Sequence, residues 1–308
     1  MRNLDLNLLV ALDALLTERS VTRAAERLGL SQPTLSVALG RLRRHFGDPL
    51  LERVGHGYRL TPLALQLADR SAPTLDSVQR LFALEPAFDP ATSTREFVLL
   101  CSDYAAALVG PLLVAALTER APGVTLNLRH EHPGRVIDDE SLLRSVDGIV
   151  MPHGFVQSPH HLDVYRDRWV CLVSRTNVDV GDELGPADLS RLEWVFAFSS
   201  MSTRVPPVSV LAQAGVQIRA RIAVNTFLQI PLHIAGSDRV ALVPGRVPRL
   251  VPHPDVRVLE CSPDPGPLIE AFWWHRDVDR DTGHIWFREL LATVTEPLRV
   301  GADGRLNR

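Results

Sequence analysis

Residues Arg19 to Arg53 read RSVTRAAERLGLSQPTLSVALGRLRRHFGDPLLER. Two short helical patterns lie in this stretch, with Gly29 between them. The first runs from about Thr22 to Leu28 and sets Ala24, Ala25 and Leu28 on one side. The second begins at Ser31 and continues to Phe46. Its apolar residues Leu35, Leu39, Leu42 and Phe46 recur every three or four positions, which is one face of a helix. Ser31 suits the N-cap, and Pro33 falls in the first turn, where its missing N–H costs nothing. A helical wheel turns Pro33, Thr34, Val37, Arg41 and Arg44 away from the apolar stripe, with Gln32 in the first turn and Ser36 on the flank. Gln reads adenine through its amide, Ser and Thr bond bases or phosphates, and Arg neutralises phosphate. Two helices joined by a small-residue turn, the second so decorated, form the helix-turn-helix pattern of DNA-binding proteins. The plainer alternative is an ordinary helical hairpin.

The flanks extend this pattern. Leu4 to Glu18 is an amphipathic helix with Leu8, Ala11, Leu12 and Leu15 facing inward. After Phe46, Gly47, Asp48 and Pro49 end the helix. Leu50 to Arg53 and Tyr58 to Thr61 then pair as short strands around Gly55, His56 and Gly57. Such a hairpin is a wing, from which Arg53 and Arg59 reach phosphates or the minor groove. Residues 1–61 are thus expected to be a winged helix-turn-helix domain. Pro62 opens a long helix to about Leu84, and residues 62–88 are read as linker helix and connection. Its stripe of Leu67, Ser71, Leu75, Val78 and Phe82 has roughly heptad spacing and would pack on a partner helix in a dimer or on its own body.

From residue 89 to 308 the pattern changes to alternating strands and helices. Strands are expected at Arg95 to Cys101, Val124 to Leu128, Val146 to Val150 and Trp169 to Ser174. Helices are expected from Ser102 to Arg120 and from Val136 to Arg144. A second set has strands at Trp194 to Phe198, Arg219 to Val224 and Val240 to Val243, and a helix starting at Asn225, Thr226 and Phe227. An apolar segment, Leu268 to Trp274, precedes a closing helix from Thr282 to Val294. The alternation predicts an α/β body with largely parallel sheets in two lobes. Lobe I would hold about 95–167 and 271–308, and lobe II about 168–270. Ligands of such sheets bind at strand carboxyl ends near helix N-termini. Ser102 with Asp103 and the run Met151, Pro152, His153 stand at such positions.

Charge supports two kinds of module. The whole chain of 308 residues carries a formal net charge of −3, which by itself does not mark a nucleic-acid binder. Residues 1–62 hold nine Arg against six acidic residues, whereas the remainder holds 24 Arg against 30 acids. A basic front and an acidic body fit one part that meets phosphate and one that does not. Cys101, Cys171 and Cys261 are far apart and form no disulfide framework, so a reducing cytoplasm is expected. Asp5 and Asp13 interrupt the early apolar pattern, against a signal peptide, and no apolar run approaches the ~20 residues needed to cross a bilayer.

The chain resembles the LysR-type transcriptional regulators. The residues that carry the resemblance are Ala24, Ala25, Glu26, Arg27 and Leu28 with Ser31, Gln32, Pro33, Thr34, Leu35 and Ser36. Leu39, Arg41 and Leu42, then Asp48 through Arg53, then Leu60, Thr61 and Pro62 follow at the family's spacing. Leu4 to Leu9, the pair of segments Phe88 to Pro90 and Ser93 to Arg95, and the ending from Trp274 through Arg288 look like a narrower branch, one of nodulation regulators and regulators of aromatic-compound degradation. The resemblance implies a winged helix-turn-helix, a dimerising linker helix and a two-lobed effector domain of periplasmic-binding-protein-like fold. It implies a tetramer, a dimer of dimers, whose DNA complex is altered by a small molecule held between the lobes, in this branch often an aromatic acid or flavonoid. Ser31, Gln32, Pro33, Thr34, Ser36, Val37, Arg41, Arg44 and Arg53 would then contact DNA. Carried over position by position, the effector site points to Ser102, Asp103, the loop with Ser200, Ser202 and Thr203, then Thr226 and Phe227, and Phe272 or Trp273. The implied partners are double-stranded operator DNA, the effector, further copies of the chain, and RNA polymerase; no membrane, cofactor or metal is expected. The sequence departs from the family at Val146 to Met151, where an acidic strand motif usually ends in Leu-Ala-Ile-Gly, in the altered segment Arg129 to Ile137, and at Asp281–Thr282, where the branch has Asp-Pro.

Other chemistry has less support. His130, Glu131 and His132, and the pair His160–His161, lack a partnered ligand set, and neighbours on a strand face opposite ways. Neither a phosphate-binding glycine loop nor a G-x-S-x-G elbow is present. Cys101 is either a redox sensor or a buried structural thiol. The alternatives to an effector-responsive DNA-binding regulator are a regulator without an effector, and a binding protein or enzyme with an incidental helix-turn-helix.

Overall fold

The computed structural model describes residues 5–55, 57–82, 87–130, 140–156, 158–198 and 206–300. The chain divides into two compact units, Met1–Leu84 and Glu85–Arg308.

The first unit is built by its caps. Helix α1 spans Leu6–Glu18 and is N-capped by Asp5, whose carboxylate accepts the Asn7 N–H at 3.1 Å. Helix α2, Val21–Leu28, starts at Ser20 and stops at Gly29, which takes φ +64° so that its N–H reaches the carbonyls of Ala25 and Glu26. That left-handed position strains any residue with a Cβ and explains the glycine. Helix α3, Gln32–Phe46, is capped by the Ser31 hydroxyl, which accepts the Thr34 N–H at 3.3 Å. Leu35, Leu39 and Leu42 are buried with Leu12, Leu15, Ala24, Ala25, Leu50, Leu51 and Leu60 in one core. Strands β1 (Leu51–Val54) and β2 (Gly57–Leu60) pair antiparallel, Leu51 opposite Leu60, as the expected wing; His56 lies outside the described residues. Leu50 sits at φ +59°, held by its N–H on the Asp48 carboxylate, which also accepts the Thr61 hydroxyl at 2.7 Å. Helix α4, Pro62–Phe82, follows. Two members of its expected dimer stripe serve the unit itself. Leu67 packs on the core, and the buried Ser71 donates to Asp13 at 3.1 Å.

The second unit contains two sheets. The elements of the first are β3 (Glu96–Cys101), helix α5 (Asp103–Arg120), β4 (Thr125–His130), helix α6 (Glu140–Ser145), β5 (Gly148–Pro152) and β6 (His161–Asp167). The other lobe takes β7 (Trp169–Ser174), β8 (Glu183–Leu184), helix α7 (Pro186–Arg191), β9 (Glu193–Ala197), helix α8 (Pro206–Gln213) and β10 (Arg219–Val224). Helix α9 (Ile230–Ile234), β11 (Val240–Pro244), helix α10 (Val247–Leu250) and β12 (Val256–Cys261) complete it. The chain then returns to the first sheet with β13 (Leu268–Trp273) and closes with helix α11 (Thr282–Val300). The strand orders are β4-β3-β5-β13-β6 and β10-β9-β11-β7-β12-β8.

Both sheets are mixed, not largely parallel. β3 pairs parallel with β4 and β5, but β13 runs antiparallel to β5 and β6, and β7 antiparallel to β11 and β12. The chain changes lobe through Arg168 and again before β13, so these strands enter their sheets from the opposite end, which hydropathy does not encode. Strands β6 and β12 were not expected from the pattern, and the return to lobe I falls before Leu268 instead of at 271. The helix expected from Val136 is described only as Glu140–Ser145, residues 131–139 lying outside the described part. One apolar cluster runs through both lobes, from Phe97, Leu99, Phe272 and Phe287 to Leu172, Val195 and Ile230. A second covers the opposite face of the first sheet with Val98, Leu100, Ile149, Met151 and Trp273. A Cβ on Gly148 would stand 2.0 Å from the Phe272 ring, so glycine is required where β5 passes beneath that side chain. Beside it, the half-buried core of charge is Arg95, paired with Asp147 at 2.9 Å and Asp281 at 2.8 Å.

Candidate nucleic-acid interface and interlobe site

On α3 the stripe that packs inward leaves the opposite face to solvent. Ser31, Gln32, Pro33, Thr34, Ser36, Val37, Arg41 and Arg44 are all exposed, and Val37 is 59% accessible. An isolated helix face with an exposed valine among hydroxyls, an amide and arginines is suited to base edges and thymine methyls. Arg41 makes a 3.7 Å ion pair with Asp5, and Arg44 donates to the Gly40 carbonyl at 3.3 Å. Both contacts are solvent-exposed, so phosphate can displace them at little cost. Arg43 has a structural duty: it donates to the carbonyls of Pro49 and Leu51 and fastens the wing to α3. Arg53 and Tyr58 are exposed on the wing, where Arg59 pairs with Glu52 at 3.2 Å. Ser31 is partly committed, since its hydroxyl bonds that of Thr34 at 2.8 Å while capping the helix.

The interlobe site forms where β3 hands over to α5. Ser102 caps α5, accepting the Ala105 N–H at 3.1 Å. Asp103, the next residue, reaches across to lobe II, where its two carboxylate oxygens accept the N–H groups of Phe227 at 2.9 Å and Leu228 at 2.7 Å. Residues 225–229 are therefore a turn that offers N–H groups, and the helix expected from Asn225 begins only at Ile230. His130 adds a second bridge, its Nε2 lying 2.8 Å from the Asn225 carbonyl oxygen.

Aromatic rings gather at these bridges. Phe227 makes edge contacts with Tyr104 at 6.3 Å and Phe198 at 5.4 Å, and lies 6.2 Å from Trp169. The Phe198 ring stacks on His130 at 5.8 Å. Phe198 holds φ +71°, a conformation costing a bulky residue about 1–2 kcal/mol. Tyr104 donates its hydroxyl to Asp167, where the chain crosses between lobes.

Not every expected residue converges here. Ser200, Ser202 and Thr203 lie outside the described residues. Phe272 is fully buried against His284 and Phe287, and Trp273 faces the other side of the sheet, its indole N–H on the Met151 carbonyl at 2.8 Å. Strand alternation sends the two rings to opposite faces, so they cannot line one site. Tyr104, His130, Trp169 and Phe198 were missed because each sits at an element end whose direction depends on lobe placement. Burial pushes the Cys101 thiol up to about 12, with Glu270 and Asp103 adding to it, so it is the structural thiol of the two alternatives. Glu270 is also buried, and burial together with Asp167 raises its carboxyl to about 8.

A capped helix-turn-helix with a wing, together with a two-lobed mixed α/β unit carrying a junction of polar bridges and rings, defines an effector-binding-type DNA-binding protein. Models of known families bear this out. The bacterial regulatory helix-turn-helix protein, lysR family, matches residues 6–65, and the LysR substrate binding domain matches residues 91–296. The chain belongs to the LysR family: it is a DNA-binding transcriptional regulator of LysR type with an effector-binding domain. It is 32% identical to nodulation protein D 2 of Rhizobium tropici, the alignment covering 98% of this chain and 99% of that protein. It is 32% identical to the HTH-type transcriptional activator NagR of a Ralstonia species, with 96% and 98% covered. Among solved structures, a probable transcriptional regulator from Pseudomonas aeruginosa superposes with a TM-score of 0.68 at 26% identity, covering 95% of this chain and 98% of that one. CbnR in complex with its target DNA shares the fold, with a TM-score of 0.66 at 17% identity and coverage of 94% and 100%.

Proposed function

We propose that this regulator reads operator DNA with α3 and changes its oligomer geometry when a small aromatic acid binds at the interlobe junction. The observation that carries the reading is the coincidence at one place of lobe-bridging bonds and rings: Asp103 on the Phe227 and Leu228 N–H groups, beside Tyr104, Phe198 and Trp169. Flat rings provide the apolar surface that an aromatic ligand stacks on, and a ligand carboxylate would take the N–H groups of Phe227 and Leu228 by displacing Asp103. On the DNA side Gln32, Thr34 and Ser36 meet bases or adjacent phosphates, while Arg41, Arg44 and Arg53 meet mainly the backbone. Two copies joined through α4, and two such dimers, would place recognition helices in successive major grooves about 10 bp apart or at multiples of it. An effector shifts such an arrangement only by its differential affinity for the two states. RNA polymerase is the further partner this output implies.

The experiment is a thermal-shift screen of the full chain against aromatic acids, followed by gel shift on the DNA upstream of its own gene with and without the hit. A ligand at a hundredfold excess over Kd stabilises by about 2.7 kcal/mol. Retained DNA binding with no stabilising acid would leave the regulator without this effector. One observation favours that second reading: Asp103 already saturates the two N–H groups that a carboxylate would use.

A further inference from the structure

Lobe I carries a second cluster of chemistry-bearing side chains, on the sheet face turned away from α5 and α11. Strand alternation assembles it. Leu162 and Val164 of β6 pack with the cluster that holds Phe272, so His161 and Asp163 share the opposite face with Trp273 and Ala271, which they directly oppose on β13. His153 arrives from the end of β5, its backbone fixed by its N–H on the Ile269 carbonyl at 3.0 Å and by a bridge to Val156. One ligand atom from each of His153, His161 and Asp163 lies within 4.8 Å of the others. Nε2 of His153 is 2.7 Å from Oδ1 of Asp163. Trp273 walls the group from below, its ring 5.0 Å from that of His153 and 4.7 Å from that of His161. His160 is excluded. It turns to the other side, where Nδ1 meets Asp279 at 3.1 Å.

We propose that His153, His161 and Asp163 form a binding site for one divalent transition-metal cation of the zinc, nickel or copper kind. Two imidazoles and a carboxylate are the borderline nitrogen and oxygen donors such ions take. Around zinc, neighbouring ligand atoms stand ~3.3 Å apart, from bonds of ~2.0 Å in tetrahedral geometry. Rotation of exposed side chains brings the present spread to that value, and His153 gives up its bond to Asp163 to present a lone pair, its proton moving to Nδ1. His153 and Asp163 are each 39% exposed, which leaves an open side for a water as the remaining ligand. The indole beneath supplies an apolar floor that keeps water from the back of the site. Nothing in this arrangement depends on the interlobe junction or its effector.

The test uses the full-length protein stripped with a chelator and titrated with Zn2+ in competition with a chromophoric indicator. One equivalent should bind. His161→Ala and Asp163→Asn should each weaken it by about tenfold or more, and His160→Ala should not. Ni2+ or Cu2+ should quench indole fluorescence in the parent protein and in His160→Ala, but not in His161→Ala. All the substituted side chains are exposed or half-buried, and unchanged thermal unfolding of the metal-free variants would confirm that each folds. Absence of saturable binding would overturn the proposal. So would binding that survives both His161→Ala and Asp163→Asn, or that is lost equally in His160→Ala.

Discussion

The carboxylate of Asp103 accepts the backbone N–H of Phe227 at 2.9 Å and thereby ties the start of α5 in one lobe to a turn in the other. With the Leu228 N–H on the second oxygen, one side chain satisfies two donors that would otherwise need water at the lobe junction. Replacing Asp103 by Ala should therefore cost about 1.5–3 kcal/mol, the worth of hydrogen bonds to a charged group. Asn at this position has one carbonyl oxygen and should recover part of the loss. Thermal unfolding of the three proteins reads this directly, and equal melting temperatures would show that the tie contributes nothing.

The body should show an unusual dependence on pH. Glu270 holds its proton up to about 8 in the folded state, against an ordinary value near 4.5. The native state thus binds more protons than the unfolded state between those limits, and stability falls as pH rises through them. His284 acts in the opposite sense. Burial keeps it neutral down to about 4, with Nε2 on the Asp147 carbonyl at 2.7 Å, so stability is lost as pH falls from about 6.5 to about 4. The two slopes, each about 1.4 kcal/mol per pH unit, oppose one another between about 4.5 and 6.5 and leave Glu270 alone above that. Denaturant unfolding should show stability declining from pH 6.5 to 8, and Glu270→Gln should abolish the decline.

Across α3 and the wing the expected division of labour gives distinct signatures. Gln32→Ala should weaken specific binding by about 1–3 kcal/mol and relax preference at one base position. Arg53→Ala should weaken all sequences alike and reduce the salt slope by about 0.9 for each lost phosphate contact. Binding curves on operator and scrambled duplexes at several salt concentrations separate the two, and identical behaviour would refute the assignment.

Arg95 sits between two buried carboxylates, Asp147 and Asp281, and its guanidinium overrides burial to hold Asp281 below the usual carboxylate range. Arg95→Ala would leave both acids without their cation. The expected loss is about 3–5 kcal/mol, as for other broken buried pairs. Arg95→Lys should be intermediate, since an ammonium cannot serve both partners with a planar fork. Chemical denaturation measures both.

Local signals made the DNA-binding unit readable. Ser31 as a cap, Gly29 and Gly47 as stops and the leucines of α3 act within a turn or two of themselves, so a wheel and a capping rule suffice. The strand Trp169–Ser174 is legible for the same reason, as a buried apolar run, whereas Arg219–Val224 is legible from its apolar end alone, since only Val224 is buried. Strand β6, His161–Asp167, was not. Its sequence mixes histidine, acid and arginine, because one end faces solvent and the other a lobe crossing. The junction was half legible. Asp103 stands at a strand end that the pattern marks, but its partners are N–H groups more than a hundred residues away, and backbone donors have no residue signature. The pattern places Asp147 inside a strand from Val146 to Val150, which begins at Gly148. It precedes the strand because its side chain is spent on Arg95 and the Val98 N–H. The sequence sets His160–His161 aside for want of further ligands, because the pair that shares a face is His161 with Asp163, and it is completed only by His153 at the end of β5.

Gly148 and Phe272 remain, the bare backbone of one strand and the ring that lies where its side chain would be. Such a fit couples two distant positions in descent. A side chain gained at Gly148 is tolerable only after the ring has shrunk, and a smaller residue at 272 leaves a void until the glycine fills. Across a lineage the two sites should change as a pair, the residue at 272 shrinking before a side chain appears at 148.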